Sequence, residues 1–526
     1  MQSNQDTHSR KGPQFISPEE AAALVKDNDT IVPEGFLVNT FPAQTIVALE
    51  ERFKKTGAPR NLTLFYCAGL GDGKGACVNH LAHEGLIKRV IAGHYNLAPD
   101  LGKLVNANKV EAYNFPQGTI AQMFRDTAGK KAGTLSRIGL HTYIDPRLEG
   151  GKMNEVTKED LVELVTLGGE EQLFYKRIEP DICFLRGTYA DERGNITMEK
   201  EGLTLCNTSI AQAVRNHGGT VVVQVEQIVK AGTLDPKLVK IPGIYVDYVV
   251  VVPHEQHMAE VPLDQIDFHC GAAIAPSGSF KRQPLDERKV IGRRAAMELT
   301  PGAVVNLGIG MPERVSSVAA EEGVSSEMTL TVEPGPVGGI PVSGVAFGVS
   351  INPDCILEEA QQFDFYDGGG LDLAYLGLAE CDQDGNINVS KMNGRISGCG
   401  GFINITQHAK KTFFLGTFTA KGLKVAIKDG KLVIEQEGAL KKFVKQVEQI
   451  TFSGKFAAQL GQPVMYITER AVFELKTDGL HLTEIAPGVD IQKHILDQMD
   501  FKPIIDGQLK TMDLRIFKDE PMGLKK

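Results

Sequence analysis

The chain has 526 residues, 42% of them hydrophobic and 23% charged, and a formal net charge of −10 at pH 7. That length exceeds what one core can organise and predicts roughly two to four domains. The acidic balance argues against nucleic acid or an anionic membrane as the main partner, and no apolar run approaches the ~18 residues of a spanning helix.

Met1 to Pro13 is polar and lacks the apolar stretch of a signal peptide. Cysteines stand at 67, 77, 183, 206, 270, 355, 381 and 399, with no C-x-x-C spacing. Neither a disulfide framework nor a metal site is expected. A cytoplasmic protein with reduced thiols follows.

In chain order, residues 1–16 read as a flexible tail. Ser17-Pro18-Glu19-Glu20 is a helix start, with a capping Ser, Pro at the first helical position and acids in the first turn. Residues 30–32 predict a strand that runs into Pro33-Glu34-Gly35-Phe36, and residues 42–55 a helix. Residues 61–66 predict a second strand, followed by Cys67-Ala68-Gly69. Phe115-Pro116-Gln117-Gly118-Thr119 places Gln117 in a turn before a helix at 120–124. An amide there can donate to a developing oxyanion, although a solvated Gln is the commoner case. His254-Glu255-Gln256-His257 resembles a zinc-protease motif, but its histidines are three apart rather than four. The small-residue stretch from Gly271 to Ser279 reads as a linker. The expected division is an N-terminal domain at 17–270, a linker at 271–285 and a C-terminal domain at 286–526.

The second half begins with a helix near 293–297 and a strand at 302–307, which runs into Gly308-Ile309-Gly310-Met311-Pro312-Glu313. Such a turn exposes backbone N–H groups at a helix N-terminus, a ready anion site. As a dinucleotide fingerprint it fails, because Glu313 stands where the third glycine belongs. A helix follows at 312–322. Then Thr329-Leu330-Thr331-Val332 predicts a strand that ends at Glu333 and breaks at Pro334-Gly335-Pro336. Glu333 is thus expected at the C-terminal lip of a strand, where open α/β sheets bind ligands. Tyr366-Asp367-Gly368-Gly369-Gly370 is a ligand loop or a hinge. Ser397-Gly398-Cys399-Gly400-Gly401-Phe402 is a glycine-rich loop, expected before an apolar strand, whose bare N–H groups can face a ligand.

The two halves repeat one another. Thr63, Leu64, Gly69 and Gly73 align with Thr329, Leu330, Gly335 and Gly339 at an offset of 266. Asp181 to Leu185 aligns with Asp372 to Leu376 at an offset of 191, and Asp191-x-x-Gly194-Asn195-Ile196 with Asp382-x-x-Gly385-Asn386-Ile387. Two ordered matches indicate a duplicated fold, with about 75 extra residues in the first half. Strands alternating with helices predict two pseudo-repeated open α/β domains with mostly parallel sheets. A cleft between them would hold the site. At the aligned lip positions stand Cys67 and Glu333, so one carboxylate per chain is expected to act.

Together, Leu307 to Pro312, Glu333 after its strand, Gly368-Gly369, Asp382-x-x-Gly385-Asn386, Gly398-x-Gly400-Gly401 and Pro116-Gln117-Gly118 resemble a family I coenzyme A-transferase of the fused two-domain bacterial type. The resemblance covers nearly the whole chain. It implies transfer of coenzyme A between a short-chain acyl-CoA and a free carboxylate such as acetate, propionate or butyrate. It also implies ping-pong chemistry through a thioester between Glu333 and CoA. On this resemblance the side-chain amide of Gln117 and the backbone N–H of Gly401 bind the oxyanion, and Gly308, Gly310, Met311 and Gly400 lie against CoA. No tightly bound cofactor is implied, because coenzyme A enters as a substrate. A homo-oligomer, dimer or tetramer, is expected. The nucleophile must be ionised near neutral pH, which an ordinary Glu of pKa ~4.3 achieves unaided.

In 3-oxoacid members Asn-Gly follows the nucleophile and asparagines occupy the aligned first-half position. Here those places hold Pro334-Gly335 and Tyr66-Cys67. A 3-oxoacid transferase using acetoacetate and succinyl-CoA is therefore the alternative, not the first expectation. From other classes, a nucleotide-dependent oxidoreductase would need the missing third glycine. A non-catalytic CoA sensor would have no need for a carboxylate at the strand lip.

Overall fold

In the computed structural model, which describes residues 12–258, 261, 266–276 and 282–525, β-branched runs form two large sheets. The strands of the first are β1 (Gln14–Ile16), β2 (Thr30–Pro33), β3 (Leu62–Tyr66), β4 (Ile87–Ala92), β5 (Glu111–Asn114), β6 (Ile182–Arg186), β7 (Thr220–Val225) and β8 (Tyr248–Val251). They lie in the order β1-β8-β7-β6-β2-β3-β4-β5, and every neighbouring pair is parallel. A parallel sheet is covered on both faces, so its central strands read as unbroken apolar runs. Ile182 to Arg186 is buried at all five positions.

The second sheet is built around β9 (Val304–Leu307), β10 (Thr329–Thr331), β11 (Leu373–Gly377), β12 (Lys411–Leu415) and β13 (Val464–Ile467). Their order is β10-β9-β11-β12-β13, again parallel throughout. This repeats the order β3-β2-β6-β7-β8 of the first sheet, so the duplication seen in the sequence is a duplication of topology. Further strands at both ends extend the second sheet to ten, antiparallel except for a parallel outermost pair at one edge. The extra residues of the first half supply β4 and β5 and a three-stranded antiparallel sheet between 133 and 176.

Three local expectations need correction. Residues 14–16 are not part of a flexible tail: β1 pairs with β8, and the Gln14 N–H donates to Asp247 O at 2.9 Å. The open edge of a parallel sheet offers unpaired backbone groups, and Gln-Phe-Ile is short and β-compatible enough to take them. Residues 1–11 of that tail and 277–281 of the expected linker lie outside the described residues. The glycine-rich loop at 397–401 leads into a helix, Phe402–Gln407, not a strand. All six helix residues are buried, and a short apolar run surrounded on every side has no period that separates helix from strand. Gln117 lies in no turn: it opens the helix Gln117–Ala128, after Pro116 in extended geometry.

That helix joins the halves. The Gly118 N–H donates to Asn404 Oδ1 at 3.1 Å, and Gln122 and Arg125 bond Asp364 on the helix Glu359–Asp367. Gly118 permits the close approach: a Cβ there would lie 2.4 Å from Phe363 Cγ and 2.6 Å from Asn404 Nδ2. Gly118→Ala is expected to cost roughly 1–3 kcal/mol by overpacking. Thermal denaturation checks this, and an unchanged midpoint would contradict this packing between the halves. No helix among the described residues is long and apolar enough to cross a membrane.

Candidate active site

Glu333 stands two residues beyond β10, where Pro334 and Gly335 turn the chain away from the sheet. The turn demands glycine. Gly335 has φ +131°, its N–H donates to Val332 O at 3.1 Å, and a Cβ would fall 2.2 Å from Leu357 O. The Glu333 side chain is 9% exposed, and its Oε2 has no hydrogen-bond partner. It faces a cavity of about 290 Å³ that both halves line. Gln117 and His94 come from the first half, and Gly308, Gly400 and Gly401 from the second. The Gly401 backbone lies beside the Glu333 side chain, since a Cβ there would stand in contact with Glu333 Cγ at 3.4 Å.

The loop carrying Gly400 and Gly401 is seated across the first half. The Gly400 N–H donates to Gly93 O at 2.7 Å, and the Gln117 N–H donates to Gly400 O at 2.9 Å. Cys399 N–H donates to Asn114 Oδ1 at 2.9 Å, and Tyr95 N–H to Ser397 O at 2.7 Å. These bonds fix Gln117 and Gly401 relative to Glu333 without any contact made by the carboxylate itself.

Burial pushes the Glu333 carboxyl up to about 7, against its own backbone N–H and the Asn306 side chain, which favour the charge. The ordinary ionisation assumed from sequence therefore does not hold. Desolvation disfavours the carboxylate, and the result is a titratable acid near neutral pH. His94 is half-buried with a buried, unpartnered Nδ1, and desolvation lowers it to about 4, so it is a neutral imidazole.

Not all the expected residues converge. Gly310 and Met311 are not in the cavity wall. Gly310 O accepts from Arg288, and Met311 packs against a second apolar cluster. The Gly308 N–H is no free anion donor, because it donates to Tyr375 O at 2.9 Å.

The side-chain amide of Gln117 is already engaged: its Nε2 donates to Glu359 Oε1. Glu359 is fully buried and opens the helix Glu359–Asp367. Its Oε2 accepts from Cys206 Sγ at 3.4 Å, and Cys206 Sγ lies 3.9 Å from Cys67 Sγ. Glu34, also fully buried, accepts from the Cys206 N–H at 2.9 Å. Sequence reading missed Glu359, Glu34 and His94. Gln117 and the alignment of Cys67 with Glu333 across the repeat were the signals that marked this region.

Cys67, Cys206 and Glu359 are close enough together to hold a metal ion. Their hydrogen bonds to one another and from Cys67 to Gln117 O account for the grouping. The two histidines of the His254–His257 turn have separate partners: His254 bonds Glu226 at 3.0 Å, and His257 approaches Glu201 at 3.4 Å.

A family profile described as coenzyme A transferase matches residues 15–252. The chain is 48% identical over 510 residues to acetate CoA-transferase YdiF of Escherichia coli K12, covering 97% of this chain and 96% of that protein. It is 47% identical over 516 residues to caffeate CoA-transferase of Acetobacterium woodii, covering 97% and 98%. A crystal structure of the acyl-CoA transferase YdiF from E. coli O157:H7, a thioester complex with CoA, superposes with a TM-score of 0.91 at 47% identity over 98% of both chains. The rat mitochondrial succinyl-CoA:3-ketoacid coenzyme A transferase 2A is only 26% identical over 507 residues, covering 91% of this chain and 87% of that protein. Fold, fused arrangement and sequence agree: the chain belongs to the coenzyme A transferase family.

Proposed function

We propose that this enzyme transfers coenzyme A from a short-chain acyl-CoA to a free short-chain carboxylate, with Glu333 as the covalent carrier. A Glu333 oxygen attacks the thioester carbonyl, the C–S bond breaks, and an acyl-glutamyl anhydride and CoA thiolate result. The thiolate attacks the glutamyl carbonyl and releases the first carboxylate, leaving Glu333 joined to CoA as a thioester. An acceptor carboxylate reverses both steps. No proton is consumed, so the site needs no general acid.

One observation carries this function: an unpartnered, buried carboxylate oxygen on a cavity lined by bare glycine backbone and one amide side chain. Burial that lifts the acid to about 7 also strengthens its oxygen as a nucleophile once ionised. Each tetrahedral intermediate needs fixed donors, for which Gln117 and the Gly401 N–H are proposed. Gly308 and Gly400 would flank the CoA thiol, with Gly310 and Met311 further out along the same turn. The transferase is proposed to be cytoplasmic and homo-oligomeric, with a boundary between its halves at 271–285.

Incubation with acetyl-CoA without acceptor, then borohydride and peptide mass analysis, tests the carrier. The expected result is reduction at Glu333 with permanent loss of activity. An unmodified peptide spanning 327–345 after full inactivation would refute it.

A further inference from the structure

Glu359 is a buried acid that the transfer chemistry does not use. It is fully buried, and among the described residues it has no cationic partner. The titratable groups around it are Cys206, Cys67, Glu34 and Glu333, none of them a cation. A buried carboxylate without a cation is costly to keep, so structural stability alone does not explain it. Its two oxygens point to different donors: Oε1 takes Gln117 Nε2 and Oε2 takes Cys206 Sγ. Burial lifts Glu359 to about 7, and the Gln117 and Cys206 hydrogen bonds favour its charged form. As a carboxylate it accepts only, whereas a glutamine amide can be turned end for end to present either nitrogen or oxygen. With Glu359 as acceptor, the nitrogen end is fixed and its second N–H remains available. The opposite orientation would set the amide oxygen against Glu359 Oε1, acceptor against acceptor, so the carboxylate holds the nitrogen end.

We propose that Glu359 is a positioning residue that fixes the Gln117 amide by its nitrogen, so that the remaining N–H serves the oxyanion formed at Glu333. This rests on the assignment of Gln117 as oxyanion donor.

The test is a double-mutant cycle on the full-length enzyme, with acetyl-CoA as donor and propionate as acceptor, reading kcat and KM separately. Gln117→Ala is expected to lower kcat by about 10²–10³-fold. Glu359→Leu is expected to lower kcat by about 10²-fold with KM for acetyl-CoA little changed. In the Gln117→Ala background Glu359→Leu should cost nothing further. Glu359→Gln, which still offers an acceptor oxygen, should restore most of the rate. Where Glu359→Leu does not fold, Glu359→Asp, which withdraws the acceptor by one methylene, should give the same pattern. If Glu359→Leu or Glu359→Asp costs its full factor in both backgrounds, positioning is overturned while the donor assignment stands. If Gln117→Ala alone leaves kcat unchanged, the donor assignment fails and the role of Glu359 fails with it.

Discussion

Glu333→Ala is expected to abolish CoA transfer, by a factor on the order of 10⁴ or more, in a protein that melts no lower than the native one. The second half of this expectation comes from the carboxylate's surroundings. One oxygen of Glu333 is buried without a partner, and an unsatisfied buried polar group destabilises the fold that contains it. Linkage gives the sign. The folded protein holds the Glu333 proton more tightly than the unfolded chain, since burial raises the acid from its ordinary 4.5 to about 7. The folded state therefore binds more protons between those values, and stability falls as pH rises through that window. Above about 7 the ionised group costs roughly 3 kcal/mol relative to the unfolded chain. Activity follows the opposite course, because only the carboxylate attacks. Its kcat/KM should rise about tenfold per pH unit below 7 and level off above it. Glu333→Ala should lose the Glu333 share of the pH dependence of stability in this window and keep the shares of Glu359 and Asp367, which burial also lifts to about 7. Calorimetry across pH 5 to 8 and an activity profile over the same range check both. A clear fall in the melting temperature of Glu333→Ala would show that the carboxylate supports the fold, and would contradict its being a strained nucleophile.

The repeated, mostly parallel fold was legible because duplication left two copies of one pattern to compare. Thr63 against Thr329 and Asp181 against Asp372 mark the starts of equivalent strands, and the topology around them repeats. Glu333 was legible for a local reason: a β-branched run followed by Pro334 and Gly335 must end a strand, and a carboxylate there must sit at its lip. What escaped was what tertiary contact decides. Phe402 to Gln407 is apolar enough to be buried in either conformation, and its environment chose the helix. Glu359 follows Glu358 at a helix start and looks like ordinary first-turn acid. Its role as an acceptor comes from the other half, through Gln117 Nε2 on the helix Gln117–Ala128 and through Cys206 Sγ. His94 likewise has no motif, and its neutrality comes from burial behind Gly69, where a Cβ would lie 3.0 Å from its Nδ1. The ionisation of Glu333 was misjudged for the same reason, since desolvation is a property of the assembled cavity.

Gln117→Ala is expected to retain the fold and lose about 10²–10³-fold in kcat, equivalent to roughly 3–4 kcal/mol of transition-state stabilisation. The side chain is 2% exposed and lies at the first position of its helix, with its N–H bound to Gly400 O at 2.9 Å. Backbone and side chain are therefore both held before substrate arrives, and this preorganisation makes a donor effective in a dry cavity. The effect should appear in kcat and kcat/KM together, because the oxyanion exists only in the transition states and intermediates. Truncation removes the Nε2 donor from Glu359, so the acid should become harder to ionise, since that bond favours its charged form. Two signatures distinguish this from loss of packing. Acyl-CoA binding, measured by calorimetry on the Glu333→Ala background, should be little changed by adding Gln117→Ala. The glutamyl thioester should still form with acetyl-CoA alone, only more slowly, because the amide lowers the barrier on both sides of that intermediate. A loss below about 0.5 kcal/mol, or a change confined to KM, would remove Gln117 from the oxyanion site and leave the Gly401 N–H as its proposed donor.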